Sequence, residues 1–400
     1  MLMKFALRNV LRNRRRSFLT ALAVFFGAMI VGVAQGWING LVNLFIGNYI
    51  VYQTGNVRIT TEEYLERERF IPVDTLIPDA KSLSDRIRVL PGVKAVEERI
   101  RFGILLGHGD NTVEALGVGL DLEHSAFGLG EKLTAGTLGP EGLYLGKDLA
   151  ARLGVKMGDE LLLATKTSEG GLNGIKLPVA GLVKTGIGMY DKKLFFISLA
   201  DAKRLLKIQD GTTELYVLTQ EEKQTDAVDA AVKSLLPAGL AARTYQEQLG
   251  PLFSSFHVMR IMYIFIEALI LFLASFVVIN TMMMAIFERL HEVGTLKAIG
   301  MTDRELFVNF TLEGALIGAA GGIPGALVGY GFVALLHFTG VNMESFMKSV
   351  EMPIEYVMHP SISILAALIA VVLSIVVPAL AAMIPARYAR KLQPAEALRK

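Results

Sequence analysis

Four long apolar runs constrain this chain more than any other feature. A helix needs about 20 mostly apolar residues to cross a hydrocarbon layer about 30 Å thick. From Ser17 to Val57 there is no charged residue, enough for one span and an extended exit. A second run covers Ala268 to Phe287, its helix expected from Met259. A third covers Gly314 to Leu336, expected from Leu306, and a fourth lies between Pro360 and Ala386. With 52% hydrophobic and 20% charged residues, the chain reads as an integral membrane protein and not as an ordinary soluble enzyme.

The basic residues orient the spans. Lys4, Arg8, Arg12, Arg14, Arg15 and Arg16 precede the first with no acid among them. Arg387, Arg390, Lys391, Arg399 and Lys400 follow the fourth against Glu396 alone, whereas Lys348 between spans three and four faces Glu344, Glu351 and Glu355. Lys and Arg are retained on the cytoplasmic side, so both ends are expected inside. The expected order is a cytoplasmic amphipathic helix at 1–16, a span and stalk at 17–45, and an extracytoplasmic domain at 46–257. A second span at 258–287, a cytoplasmic helix within 288–305 and a third span at 306–338 follow. An external loop at 339–360, a fourth span at 361–384 and a cytoplasmic tail at 385–400 complete it. A cleaved signal peptide is the rival reading of the N-terminus, but the apolar stretch is too long and Val33-Ala34-Gln35 is a weak cleavage site.

The outside segment is long enough for its own core. β-rich runs at Tyr49–Thr60, Glu114–Gly119 and Glu214–Leu218 alternate with helical stretches at Lys81–Leu90 and Thr225–Leu236, each followed by a proline where a helix should stop. Glycine turns crowd 103–190. The fold class is therefore a four-helix membrane protein carrying a large extracytoplasmic α+β domain, a porter-like α/β part with a β-rich insertion near 115–215.

Reactive chemistry is missing from the sequence. There is no cysteine, hence no disulfide, thiolate metal site or lipidation cysteine. Gly142 to Lys147 is one residue short of a phosphate loop and lacks its Ser/Thr; a surface turn explains it better. The six histidines never fall at ligand spacing, so no metal site is expected. No Gly-x-Ser-x-Gly elbow occurs. A net charge of +2 with no broad basic patch argues against nucleic acid. No cofactor is expected on this chain, and energy for any work has to come from a partner.

Between spans two and three, Leu290, Val293 and Leu296 repeat at helical spacing. Gly300 suits the residue that ends a helix, and Thr302 with Glu305 suits a capping box for the next. Such a short helix can lie in a groove of a cytoplasmic protein or on the lipid surface, and its periodicity alone leaves both open.

The pattern Glu288, Arg289, Glu292, Val293, Gly294, Ala298, Gly300 resembles the coupling segment of FtsX-like, MacB-like ABC transporter permeases (the mechanotransmission, type VII class). Leu7 to Arg14 is similar to that family's amphipathic leading helix, and Pro385, Ala386, Arg387, Arg390, Pro394, Glu396 and Leu398 to its closing motif. Pro91-Gly92-Val93, Leu145 to Ala150 and Leu153 to Asp159 fit its outside domain, so the resemblance spans nearly the whole chain. Thr185-Gly186 with Tyr190-Asp191, and the Thr54 to Ile59 strand, lean toward the lipoprotein-releasing LolC/LolE-like branch. The resemblance implies a non-catalytic permease subunit, paired with a second permease and docked on a cytoplasmic ATPase that alone binds ATP and Mg. ATPase coupling would fall on Glu288, Arg289, Glu292, Val293, Gly294, Leu296, Lys297, Gly300, Thr302 and Glu305. Movement of the outside domain would extract lipoproteins from the outer leaflet and hand them to a periplasmic carrier. Efflux of drugs, peptides or toxins, and FtsX-like activation of a cell-wall hydrolase, are the alternatives.

Other residues have a structural and a functional reading. Gly314, Gly318, Gly322 and Gly321, Gly325, Gly329 form ladders at four-residue spacing that favour close helix packing over a substrate role. Pro324 and Pro378 are expected to kink their spans. Glu267 is costly in hydrocarbon unless it faces protein or water, so it is a candidate for the substrate cavity; snorkelling or an interhelical hydrogen bond is the alternative. Glu313 reads as structural. Phe265, Leu269, Phe272 and Phe276, with Val33, Met282, Met283 and Met284, could line a wall for acyl chains or touch ordinary lipid. Trp37 fits that wall or an aromatic belt.

Overall fold

The computed structural model describes residues 2–347 and 355–391. Pro394, Glu396 and Leu398 of the expected closing motif, Arg399 and Lys400 of the tail, and Lys348 and Glu351 of the external loop, lie outside the described residues. The chain divides into a helical unit (residues up to Asn43, Ser254–Val341 and from Met358) and an α/β unit (Leu44–Phe253 with Asn342–Val357).

In the helical unit, a short helix Leu2–Arg12 leaves Met3, Leu7 and Leu11 exposed along one side, as a helix lying against lipid does. Among the described residues, four helices are long and apolar enough to cross a membrane. The first, Arg14–Tyr49, runs on as a π-turn through Thr54. The stretch 49–54, expected to be extended, is therefore helical. Nothing breaks it until Gly55, whose φ of +65° turns the chain into the first strand.

The second helix runs from Pro251 to Glu288, starting eight residues before Met259. Proline at a first helical position gives up no hydrogen bond and has its φ already set. At 38 residues this helix is about 57 Å long, nearly twice the hydrocarbon thickness. The third, Asp303–Thr339, starts from a complete capping box: Thr302 Oγ1 accepts from the Glu305 amide, and the Thr302 amide donates to Glu305 Oε2 at 2.9 Å. The fourth, Ile364–Lys391, continues through Pro385 instead of ending at 384.

Missing side chains hold these helices together. A Cβ on Gly314, Gly318 or Gly322 would run into Ala382 or Ser374 of the fourth helix, and the Ser374 carbonyl lies 2.7 Å from the Cβ position of Gly318. The second ladder faces the first helix. Cβ atoms on Gly321 and Gly325 would strike the carbonyls of Ala21 and Phe25, and one on Gly329 would come within 2.6 Å of Met29 O. Span three is thus clamped between spans one and four. The first helix answers with Gly36, whose Cβ position is 2.5 Å from Val333.

The α/β unit is built on ten strands. β1 (Val57–Thr61), β2 (Val93–His108), β9 (Glu214–Thr219) and β10 (Leu240–Thr244) form an antiparallel group in the order β10–β1–β9–β2. The helices Ala80–Arg88 and Thr225–Leu235 connect β1 to β2 and β9 to β10, giving a split βαβ arrangement. Ala80, Leu83, Ser84 and Ile87 form the buried stripe of one helix; Val228 and Val232 anchor the other. They cover Val57, Ile59, Val96, Leu215 and Val217 of the strands.

The β-rich insertion begins earlier than expected. β2 is a single strand of 16 residues: its first part pairs with β9, and from Ile100 it pairs with β3 (Asn111–Leu120). The inserted part therefore starts within a strand shared by both sheets, which no turn residue announces. It holds β4 (Leu133–Gly136), β5 (Leu143–Gly146), β6 (Glu160–Lys166), β7 (Leu172–Val183) and β8 (Leu194–Ser198). Its central strands are covered on both faces. Phe195 and Ile197 enter one core, while Leu194 and Phe196 enter the other, the period of two that a strand imposes.

The end of the segment expected to be an external loop packs on this domain. The Tyr356 amide donates to Gly186 O at 2.8 Å, and Lys132 Nζ reaches Glu355 at 3.4 Å. Gly186 belongs to the Thr185–Asp191 motif, in which Asp191 Oδ1 accepts from both the amide (2.6 Å) and hydroxyl (2.7 Å) of Thr185. Burial pushes the Asp191 carboxyl up despite those two bonds. In this chain the motif is a turn lock that seats residues 355–356.

Candidate functional site

Two features of the helical unit can do work, one at each end. At the basic end, the second helix stops at Glu288, and Arg289 (φ −115°, ψ 23°) turns the chain into a nine-residue helix, Leu290–Ala298. Its end is a Schellman motif: the Met301 amide donates to Leu296 O at 3.0 Å and the Gly300 amide to Lys297 O at 3.1 Å, with Gly300 at φ +108°. Two residues later the capping box starts the third helix, so both ends of the short helix are fixed by hydrogen bonds.

Its inner face is fixed too. Val293 lies in one core with Val24, Val278, Ile286, Leu306, Phe310, Ala382 and Ala386, drawn from all four long helices. Gly294 is buried beside it and Leu296 is half-buried. Lys297 Nζ donates to Arg390 O at 2.8 Å and pairs with Asp303 at 2.9 Å. A displacement of this helix must therefore move the ends of all four spans, because packed interiors do not give locally.

The acids of the coupling pattern are not free. Arg12 Nη2 donates to both oxygens of Glu292 at 2.7 and 2.5 Å, and Arg16 Nη1 to Glu288 Oε2 at 2.9 Å. The leading helix is thus tied to the short helix, and the start of span one to the end of span two. Arg289 is buried and one of its terminal nitrogens has no hydrogen-bond partner, as is true of Glu313 Oε2. What the short helix offers outward is His291, Thr295 and Ile299, exposed at four-residue spacing, with Ile299 80% exposed. The sequence pattern passed over these three. The signal was there: Ile299 follows the last turn of a helix whose inner positions are already filled.

At the other end lies a part-enclosed cavity of about 400 Å³. Gln35, Ile38, Asn39 and Asn43 line it from span one, and Arg260, Tyr263, Ile264 and Glu267 from span two. Ser361, Ile362, Leu365 and Ile369 close it from span four and the residues just before it. Each set repeats at helical spacing. Glu267 is 3% exposed and accepts from Gln35 Nε2 at 3.2 Å, while the Tyr330 hydroxyl donates to Gln35 Oε1 and so fixes which way the amide points.

The structure separates the residues grouped above as a substrate wall. Glu267 faces inward. Phe265, Leu269, Phe272 and Phe276 form an outward stripe, each between 45% and 71% exposed. Val33 and Trp37 are half-buried and sit half a helical turn from Gln35, on the opposite face of span one. Met282 is core, Met283 half-buried and Met284 exposed. An uncharged run with Gln35, Asn39 and Asn43 at four-residue spacing marked the cavity in the sequence, where that stripe was not read.

Four helices long enough to cross a membrane and a large inserted α/β domain define the class as a multi-span membrane protein with an extracytoplasmic-type domain. Residues 17–235, more than half of the chain, match the MacB-like periplasmic core domain family, and residues 264–394 match the FtsX-like permease C-terminal family. The chain belongs to the FtsX/MacB-like family of ABC transporter permeases. It is 24% identical to "Lipoprotein-releasing system transmembrane protein LolC" of Xylella fastidiosa (strain 9a5c), over 68% of this chain and 69% of that protein. It is also 24% identical to "Uncharacterized ABC transporter permease YknZ" of Bacillus subtilis (strain 168), over 99% of this chain and 98% of that one. The crystal structure of the extracellular domain of the noncanonic ABC-type transporter YknZ from Gram-positive bacteria aligns with a TM-score of 0.34 at 11% identity, covering 47% of this chain and 99% of that chain. Membership implies an ATPase partner and a second permease or subunit.

Proposed function

We propose that this permease couples a cytoplasmic ATPase to movement of an extracytoplasmic domain, extracting lipoproteins from the outer leaflet for handover to a carrier. The carrying observation is the short helix. Its inner face is cored into all four spans and its outer face presents His291, Thr295 and Ile299. A push on that outer face reaches the spans without loss in a soft joint, which is what coupling by motion needs. Both chain ends lie in the cytoplasm in this reading, because Arg12, Arg14, Arg15 and Arg16 stand beside the end of span two, which leads into the short helix, and favour retention there. ATP and Mg are held by the partner alone. The outward apolar stripe Phe265, Leu269, Phe272 and Phe276 is the surface for acyl chains or for the second permease. The printed name of the LolC relatives supports the lipoprotein cargo. The match of residues 17–235 to the MacB-like periplasmic core domain keeps MacB-like efflux from the outside space as a second reading.

The test is association and coupling of the chain with its cognate ATPase. Ile299→Asp places a charge where an apolar anchor should be desolvated, a change that costs about 2 kcal/mol or more at an interface hot spot. Association should weaken roughly 30-fold, and substrate-stimulated ATP hydrolysis should fall with it. Unchanged association and stimulation would leave the short helix as a lipid-surface element. Release of a diacylated lipoprotein from proteoliposomes, compared with release of a soluble peptide, separates the two cargo readings.

A further inference from the structure

We propose that the basic groove at the start of span one is a site for an anionic glycerophospholipid of the leaflet at that end of the spans, its phosphate held by Arg14 and Arg15. The inference rests on the membrane-spanning reading but on neither the cargo nor the ATPase.

The charges of the groove do not balance. It is an open hollow of about 660 Å³ at Asn13, where the helix Leu2–Arg12 breaks from span one. Arg12, Arg14, Arg15 and Arg16 line it, with Met284 and Glu288 of span two. Glu292 matches Arg12, and Glu288 matches Arg16. Arg14 and Arg15 are exposed and have no acid within ion-pair distance among the described residues; Arg14 reaches only Leu11 O, at 3.4 Å. Two neighbouring guanidiniums without counter-charges suit a phosphate, whose several oxygens accept from the planar forks of more than one arginine.

Two apolar stripes lead from this groove toward the middle of the bilayer. Leu19, Phe26 and Ile30 of span one are 48–64% exposed, and Leu273, Val277 and Met284 of span two 41–57%. The Cβ position of Gly27 meets Ala274 and Leu271, which marks the contact line between the two helices. Each stripe lies about 60–100° from that line, in the same rotational sense from Gly27 on span one as from Ala274 on span two. The helices run antiparallel, Arg16 meeting Glu288 and Gln35 meeting Glu267. The two stripes therefore border the same side of the contact, as the walls of one channel. Only the exposed amide of Asn280 interrupts the second.

Order and depth select a lipid. Arg15 stands one turn before Leu19, and Met284 one turn deeper than Glu288. On both helices the order from the groove inward is charge first and apolar wall after it, the order of a lipid's own head and chains. From Leu19 to Ile30, and from Met284 to Leu273, the rise is about 16 Å, the depth of one leaflet of a core about 30 Å thick. A soluble phosphate would engage the arginines and leave both stripes unused. A zwitterionic head brings its own cation toward the arginines, so a head of net negative charge, such as phosphatidylglycerol, is favoured.

The full chain, purified in mild detergent, is offered equimolar palmitoyl-oleoyl phosphatidylglycerol, phosphatidylethanolamine and phosphatidylcholine, and retained lipid is read by native mass spectrometry. Phosphatidylglycerol should be retained about tenfold above the other two. Arg14→Gln combined with Arg15→Gln should abolish that preference. Lys4→Gln combined with Arg8→Gln removes the same charge from exposed positions outside the groove and should leave the preference intact. Met284→Glu keeps every arginine but sets a carboxylate on the groove wall, and should lower retention of phosphatidylglycerol several-fold. Equal retention of the three lipids by the unaltered chain overturns the proposal, whatever the variants do. So does an undiminished preference in the monodisperse Arg14→Gln, Arg15→Gln chain. A preference lost equally in the Lys4→Gln, Arg8→Gln chain also overturns it, since diffuse attraction then needs no site. Free glycerol phosphate should not displace the lipid; if it does, the site belongs to a soluble anion and the lipid assignment fails.

Discussion

At the scale of single residues, the α/β unit depends on a charge cluster sealed from water. Glu214 is fully buried on β9, accepts from Arg101 Nε at 2.9 Å and Nη2 at 2.6 Å, and takes a further bond from the Tyr64 hydroxyl at 2.5 Å. Arg58 Nη1 stands at 3.6 Å and pairs outward with Glu68 at 2.5 Å. Burial pushes the Glu214 carboxyl up, but Arg101 and Arg58 outweigh it and hold the group below the ordinary carboxylate range. A depressed carboxylate stabilises the fold above its unfolded-state value and loses that contribution as pH falls through the folded one. Unfolding followed by tyrosine fluorescence should therefore show this stability intact at pH 6 and declining below about pH 4. Glu214→Gln keeps the volume but strands a buried guanidinium, and should cost about 3–5 kcal/mol in a denaturant titration. Half-exposed Arg67, paired with Glu63 and Asp74, is the contrast: Arg67→Ala should change stability by under about 1 kcal/mol.

At the scale of elements, the third helix is a spacer defined by what it lacks. Gly325 meets the Phe25 carbonyl and Gly318 the Ser374 carbonyl, so a side chain at either position must separate two backbones. Gly325→Leu should cost about 1–3 kcal/mol by overpacking, read as a lower melting temperature of the detergent-solubilised chain. Leucine at Gly331, where nothing stands within 4 Å of the Cβ position, should leave that temperature unchanged. The short helix makes a different prediction. The Arg12–Glu292 pair is half-exposed, 51% and 52%, so it contributes little to stability, yet it ties the leading helix to the short one. Glu292→Arg should reduce stimulated ATP hydrolysis with little change in melting temperature. Adding Arg12→Glu should restore hydrolysis if the tie is what transmits motion. Failure of the double variant would assign Glu292 to direct contact with the ATPase.

At the scale of the whole molecule, the reading requires the short helix and the α/β unit to lie on opposite sides of the bilayer. Because the sequence has no cysteine, a single introduced one reports position cleanly. Lys81→Cys should be labelled by a membrane-impermeant maleimide added outside right-side-out cells, whereas Thr295→Cys should react only after permeabilisation. Labelling of both from the same side overturns the orientation and, with it, the coupling reading.

Much of this was legible in the chain itself, because lipid and helix geometry leave few choices. Long apolar runs can only be spans, a Thr-x-x-Glu before one of them can only cap it well, and glycines every fourth residue mark a face where backbones approach. The strands of the insertion were also visible as elements, but not where the insertion begins. Ile100 falls in the middle of β2, whose two parts pair with different neighbours, and strand pairing is non-local. Nor could the segment around Glu355 and Tyr356 be assigned to the α/β unit, since its partners Lys132 and Gly186 are about 170–220 residues away in sequence. The cavity shows the same division. Helix geometry placed Glu267 in a span and half a turn from Phe265, and only packing turned it toward Gln35. Local sequence determined which segments are helical and how they end. The tertiary structure alone decided which charges meet, because burial and pairing depend on residues brought together from distant parts of the chain.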